Sequence, residues 1–303
     1  MRNTFTDITA YLAVVCLSWF CRIIPKKSAM LFGSTLGKIL YRTLKERRKI
    51  ALKNLQIAFG DCIDAKEQER ICMGSFVNFG KTLIEFLRFK KLNSKNIWNE
   101  VTVFGSENIK EVLTFGKGAI VFLPHFGNWE LLSLVYGALI PNQAKAIAFP
   151  LKYDRLNSYL WQIREHLGLK IIPRKNAIRS TLRALKNNEA VGFFADQNAG
   201  DQGVFIEFFG KPASSSRAPI TLALKTGAPI LFSLDIRQPD DKHHVYISPP
   251  IHLKSSEDVE KDIELYTAQL MKELESYIKK HPEQWLWIHN RWKTQPNQSE
   301  HPK

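Results

Sequence analysis

The chain has 303 residues, enough for one large domain or two smaller ones. Its 45% apolar content is ordinary for a globular protein and too low for one with many membrane spans. Its 43 Lys and Arg against 29 Asp and Glu leave a formal net charge of +14, which favours nucleic acid, an anionic membrane surface, or acidic substrates and carrier proteins, without choosing among them.

The first element is apolar. Ile8 to Cys21 carries no charge, and if Arg22 snorkels the stretch reaches Ile24. As a helix it would be roughly 25 Å long, at the lower edge of what spans a bilayer. A signal peptide competes, but the basic start is thin (Arg2, offset by Asp7) and no A-x-A-like cleavage site follows. A core helix is the third reading. The expectation is a membrane anchor over 1–24, spanning or lying in the interface. Residues 25–95 then predict basic and amphipathic helices packed on a core. Lys26, Lys27, Lys38, Arg42, Lys45, Arg47, Arg48, Lys49 and Lys53 stand there with Glu46 as the only acid up to Lys53. Leu31, Phe32, Leu36, Ile39, Leu40 and Leu44 fall between them at helical spacing. Bases beside an anchor predict contact with anionic headgroups and place the rest of the chain on the cytoplasmic side. Cys16, Cys21, Cys62 and Cys72 form no C-x-x-C pair and have no histidine at zinc spacing, so they read as reduced thiols. Residues 64–90 begin with acids and end with bases, matching a helix dipole.

From about residue 100 the texture changes. "VTVFG" precedes a helical 106–114, "AIVFLP" precedes 127–139, "AKAIAF" precedes 154–167, "LKIIP" precedes 177–187, and "AVGFFAD" follows. A helix near 217–226, strands "PILFSLDI" and "HHVYISPPI", and a helix over 256–280 come later. Strands alternating with helices predict an α/β fold with a mostly parallel central sheet flanked by helices, over 96–293. The polar tail 294–303 reads as frayed.

Within this pattern "KGAIVFLPHFGNWELLSL", 117–134, places His125 directly after a strand. Ligands of open α/β sheets bind at such carboxyl ends. Gly127 would let backbone approach a substrate, and Asn128 would cap the next helix. Glu130, in the first turn, could reach back and accept the imidazole N–H, leaving the other ring nitrogen as a base. No Ser or Cys stands in a nucleophile elbow, so the base would act on a hydroxyl brought by a substrate. The spacing alone is weak. His252 and Glu257 repeat it without the glycine, and His125 could instead be a helix-entry residue tied to its own cap. Arg164 and Arg174 are candidates for a phosphate or an oxyanion. Asp196 and Gln197 end their strand as His125 ends its own. Phe205, Phe208 and Phe209 would line an apolar channel or pack the core, while Trp285, Trp287 and Trp292 with Arg291 read as a capping cluster. Neither a cluster of three metal ligands nor a phosphate-cradling loop is present, so no cofactor is expected. No helix-turn-helix, RRM-like or zinc-finger pattern supports a nucleic-acid partner.

"HFGNWE" after a strand resembles the H-x4-D/E box of the glycerolipid acyltransferase superfamily, and its Glu form with Gly-Asn-Trp inside is similar to the lipid A late acyltransferases. "RRKIALKNLQIAFG" (47–60), "ADQNAGDQGVFIEFFGKPASSSRAPITLALKTGAPI" (195–230) and "HPEQWLWIHNRWK" (281–293) resemble that family's other blocks, so the likeness runs over nearly the whole chain. Ser214–Ser216 and Arg217 depart from the usual Thr and small residues. The resemblance implies a cofactor-independent O-acyltransferase on the cytoplasmic face of the inner membrane. It would move a fatty acyl group from acyl carrier protein to a hydroxyl on the acylated, phosphorylated disaccharide precursor of lipid A. His125 would be its general base and Glu130 the orienting partner, and anionic inner-membrane lipid would be a further contact. Another acceptor (a lysophospholipid, an ornithine lipid or a glycolipid) is the alternative.

Overall fold

A computed structural model describes residues 4–296. The expected tail therefore lies mostly outside the described residues, as does Arg2. The alternation read from the sequence becomes a seven-stranded sheet. In chain order its strands are β1 (Val101–Phe104), β2 (Ala119–Leu123), β3 (Ala144–Ala148), β4 (Lys170–Pro173), β5 (Ala190–Phe194), β8 (Ile230–Arg237) and β9 (His243–Ile247), arranged β1-β9-β8-β2-β5-β3-β4. Every pairing is parallel except the β8–β9 hairpin. Period two divides the side chains between two cores. From β2, Ile120 and Phe122 enter one core, while Ala119, Val121 and Leu123 enter the other.

The first core is covered by α3 (Lys45–Phe59), α8 (Ala177–Lys186), α9 (Ala218–Thr226) and α10 (Val259–Lys280). The second is covered by α5 (Ser106–Thr114), α6 (Trp129–Leu139) and α7 (Asp154–Arg164). Helix α4 (Ala65–Arg88) crosses between them, giving Ile71, Cys72 and Phe76 to one and Ile84, Phe86 and Leu87 to the other. Asp64 caps it by accepting from Glu67 N at 2.7 Å.

Helix α2 (Lys26–Thr43) lies backbone to backbone on α4. A Cβ on Gly37 would stand 2.4 Å from the Phe76 carbonyl oxygen, and one on Gly80 would stand 2.3 Å from that of Gly33. Helix α1 (Thr4–Ile23) contains Phe5–Ile23, a segment long and apolar enough to cross a membrane by length and composition. It is also docked. Ser18 Oγ donates to the Leu87 carbonyl at 2.7 Å, and the Arg88 guanidinium caps the carbonyls of Cys21 and Ile24 at the helix end. Asp7 accepts from the first amides of α7, Arg155 N at 3.2 Å and Leu156 N at 3.4 Å. Its outer face leaves Phe5, Leu12, Trp19, Phe20 and Ile23 exposed.

A second, two-stranded sheet pairs β6 (Val204–Phe208) with β7 (Lys211–Ser215). Phe208, fully buried, stacks on Trp292 and meets Trp285 edge-on, so it packs the core and is absent from the lining of the cleft described next.

Candidate active site

Strands β2 and β5 pair in register from Ala119↔Ala190 to Leu123↔Phe194. Two residues beyond each end stand His125 and Asp196. Parallel register therefore delivers an imidazole and a carboxylate side by side. His125 Nδ1 lies 2.7 Å from Asp196 Oδ1, with Nδ1–H donating, and the His125 amide donates to Asp196 Oδ2 at 2.9 Å. Trp285 Nε1 donates to the same oxygen at 2.9 Å. Burial pushes the Asp196 carboxyl up, but the imidazole and the donated hydrogen bonds outweigh it, and its pKa lies below the ordinary value. Asp196 is 1% exposed, whereas the imidazole is 18% exposed and presents Nε2 to a cleft, 3.5 Å from Gln197 Nε2. The ring packs between Trp129 and Phe194.

Glu130 does not hold the imidazole. It sits in the first turn of α6 as expected, but Arg164, at the end of α7, takes both its oxygens at 2.7 Å each. This bidentate fork turns both oxygens to Arg164, and among the described residues no hydrogen bond joins Glu130 to His125. Both groups line the cleft, as does Arg174, whose guanidinium covers the Phe149 ring at 4.0 Å. Gly127 differs from the expectation that it lets backbone approach a substrate, while Asn128, a substrate-binding candidate as well as the expected helix cap, serves as the cap. Gly127 has φ +58, and a Cβ there would stand 2.1 Å from the Asp235 carbonyl oxygen, so its smallness admits β8. Asn128 is fully buried. Its Oδ1 caps α6 through Leu131 N at 3.1 Å, and its Nδ2 donates to Glu85 at 2.7 Å.

These bonds lead into a buried charge network that sequence reading missed. Asp235 Oδ2 accepts from the Asn128 amide at 2.6 Å and meets His243 Nδ1 at 2.8 Å. Glu85 meets His243 Nε2 at 3.2 Å and forms a bidentate pair with Arg237 at 2.8 and 2.7 Å. Asn78 Nδ2 and Thr82 Oγ1 donate to the Gly127 carbonyl at 2.9 and 3.2 Å. Burial alone would lower the His243 pKa. Asp235 and Glu85 reverse that and lift it to about 9, so the ring is charged at neutral pH. Burial alone would likewise raise Glu85, yet Arg237 and His243 hold its carboxyl far below the ordinary value. The segment Gln284–Leu286 completes the clamp: Gly127 N donates to the Gln284 carbonyl at 3.0 Å, and Leu286 N donates to that of His125 at 3.1 Å. The Trp-rich C-terminal block is thus part of the site.

The cleft itself has a volume of about 1120 Å³. Strands β3 and β5 pair only from Ala144↔Ala190 to Ala146↔Gly192, and beyond that they part. The cleft opens there, and its lining comes from both faces of the sheet: Val121, Leu132 and Tyr136 from one core, Ile147, Leu182 and Phe193 from the other. His125 stands where the two faces meet. The chemistry this permits is proton abstraction by an oriented imidazole beside an apolar enclosure large enough for a hydrocarbon chain.

Comparison with known proteins agrees with that chemistry. A Lipid A biosynthesis palmitoleoyltransferase of Escherichia coli (strain K12) is 28% identical over 285 residues, covering 92% of this chain and 89% of that protein. A Lipid A biosynthesis lauroyltransferase of the same strain is 26% identical over 287 residues, with the same coverage. A Phosphatidylinositol mannoside acyltransferase of Mycobacterium tuberculosis (strain CDC 1551 / Oshkosh) is 27% identical over 187 residues, 59% of this chain and 58% of that protein. The family profile described as "Bacterial lipid A biosynthesis acyltransferase" matches residues 2–294, and the chain belongs to that family.

Proposed function

We propose that the protein transfers a fatty acyl group from acyl carrier protein to a hydroxyl of the acylated, phosphorylated disaccharide precursor of lipid A, at the cytoplasmic face of the inner membrane. The observation that carries this reading is the His125 imidazole, held at Nδ1 by buried Asp196 and open at Nε2 to an apolar cleft. Among the described residues no serine or cysteine hydrogen-bonds the ring, so the nucleophile is the acceptor's own hydroxyl. His125 Nε2 takes the hydroxyl proton as oxygen attacks the thioester carbonyl carbon. The C–O bond forms, the C–S bond breaks, and the imidazolium returns its proton to the leaving sulfur. Asp196 stabilises that imidazolium, the role that spacing along the chain assigns to Glu130. Arg164, fixed by Glu130, adds positive charge at the cleft wall where the oxyanion develops. Arg174, exposed at the mouth and without a carboxylate partner among the described residues, suits an acceptor phosphate. The +14 net charge attracts acidic carrier, phosphorylated acceptor and anionic lipid alike.

The test is a purified-enzyme assay with acyl carrier protein thioester and a panel of acceptors, alongside mass spectrometry of lipid A from a deletion strain. His125→Ala should abolish transfer with the fold and membrane association intact. Near-normal transfer by that variant would sink the assignment. Preference for a phosphoinositide glycolipid or a lysophospholipid would move the acceptor and keep the chemistry.

A further inference from the structure

The mouth of the cleft carries large apolar side chains that the fold leaves exposed. Phe149 and Ile178 are each 63% exposed and Leu151 is 45% exposed. They belong to the loop after β3 and to the first turn of α8, and the backbone brings these together. Arg174 N donates to the Ala148 carbonyl and Ala177 N to that of Arg174, each at 3.0 Å. The Arg174 guanidinium lies over the Phe149 ring, and Leu151 N is tied to Asn157 Oδ1 of α7 at 2.8 Å. Lys152, Arg155, Arg174, Lys175 and Arg179 stand along these two segments, with Asp154 the single acid among them. An apolar tip inside a basic ring is complementary to an anionic lipid surface, where apolar groups enter the acyl boundary and bases meet headgroups.

The position of the tip supports the same partner. Asp7 of α1 caps α7, and a crevice of about 910 Å³ between them is lined by Asp7, Tyr11, Lys152 and Arg155. The exposed lip therefore adjoins the amino-terminal half of α1, whose Phe5, Ile8 and Leu12 are also exposed. Two apolar surfaces from distant parts of the chain, one on each side of this crevice, can meet one plane.

We propose that the loop around Phe149–Lys152 and the first turn of α8 form a second membrane-contacting element, which seats the mouth of the cleft on an anionic bilayer. Its purpose rests on the acyltransferase reading, since a lipid acceptor would then enter the cleft without leaving the membrane. The contact itself does not depend on that reading.

The experiment uses the full chain with the two exposed thiols removed (Cys16→Ser, Cys62→Ser), since Cys21 and Cys72 are buried. Nitroxides are placed singly at Leu151→Cys and Ile178→Cys, with exposed Ser255→Cys as control. Collision rates with oxygen and with a water-soluble nickel chelate are compared in buffer and on vesicles of phosphatidylethanolamine and phosphatidylglycerol. At 151 and 178 oxygen accessibility should rise and chelate accessibility fall on the vesicles, with 255 unchanged. A protein that floats with the vesicles while both lip labels behave as in buffer overturns the proposal. So do labels that respond only to an acidic carrier protein, which would make the lip a protein dock. As a second measurement, Leu151→Asp should lower turnover of vesicle-presented acceptor about tenfold, the weight of one leucine leaving lipid, and leave turnover of detergent-dispersed acceptor unchanged. Equal turnover in both presentations also overturns it. Wild-type protein that acylates neither form, with labels still buried, would instead remove the acyltransferase reading and keep the contact.

Discussion

Two carboxylates compete for the role of orienting His125, and Asp196→Asn separates them. Asp196 Oδ2 accepts from the His125 amide and from Trp285 Nε1, while Oδ1 faces His125 Nδ1. In the variant, the amide oxygen must take the Oδ2 position, because two fixed N–H groups point there. The amide nitrogen then faces Nδ1 as a donor, so Nδ1 must become the acceptor. The imidazole proton moves to Nε2, the atom that faces the cleft, and the base is blocked. The loss combines the base contribution, about 10²–10⁴-fold, with the absent countercharge for imidazolium; tautomer reversal in a serine hydrolase triad is of order 10⁴. We expect kcat down by roughly 10³–10⁴ with KM little changed. Stability should fall by only about 1–2 kcal/mol, since both fixed donors keep an acceptor. The assay is steady-state transfer from acyl carrier protein, with a urea melt on the same preparation. A variant within a few-fold of wild type, beside a Glu130→Gln variant that is dead, would show that Glu130 turns to the imidazole in the working enzyme.

Glu130→Gln should cost on the order of a hundredfold in kcat by freeing Arg164, and Arg164→Gln should cost about the same. The double variant should be no worse than either, and strict additivity would refute their acting as one unit. For His243 the folded pKa of about 9 exceeds the ordinary 6.5, so its stabilisation is complete below about pH 6.5 and is lost as pH rises through about 9. The unfolding free energy from urea titrations should fall over that window by an amount on the order of 3 kcal/mol, and His243→Gln should flatten the curve. Identical curves would remove the charged ring from the network. Deleting residues 1–24 should destabilise the protein, not merely release it from membrane, because it strips the Asp7 cap from α7, worth about 0.5–2 kcal/mol, and uncovers Cys21's neighbours in the core. An unchanged melting temperature in detergent would make α1 a pure anchor.

Much of the fold was legible because the core pattern is local. Branched runs ending at Pro124 and Asp196 announced strands, and a basic amphipathic stretch announced helices. The β6–β7 hairpin was not legible, because its two-residue turn is Phe209–Gly210, with φ +51 and +68. Such turns are usually announced by Asn-Gly or Asp-Gly. Here a Phe accepts the left-handed conformation while Glu275 receives its amide at 2.6 Å, and that carboxylate arrives from a helix far along the chain. Glu85, Asp235 and Arg237 were hidden for a similar reason: a single charge inside an apolar run reads as a surface point until its partner is known.

The site shows the same division more sharply. "AIVFLPH" and "AVGFFAD" both begin at Ala and end six residues later in a polar group, and in a parallel sheet equal lengths from a shared register bring the two ends together. That pairing was in the sequence. The choice of Glu130 over Asp196 followed nearness along the chain, which is the wrong metric at a strand end. There, the closest neighbour in space is the next strand's terminus, at 2.7 Å here, while the first turn of the following helix points its side chains back along the helix axis toward whatever packs on it. For Glu130 that is Arg164 on α7. The helix that presents Arg164 is capped by Asp7, from the one helix long and apolar enough to cross a membrane among the described residues. A side chain of this candidate membrane-associating helix and the guanidinium that fixes Glu130 therefore lie at opposite ends of a single helix, so the seating of α1 bears on the wall of the cleft through a rigid element.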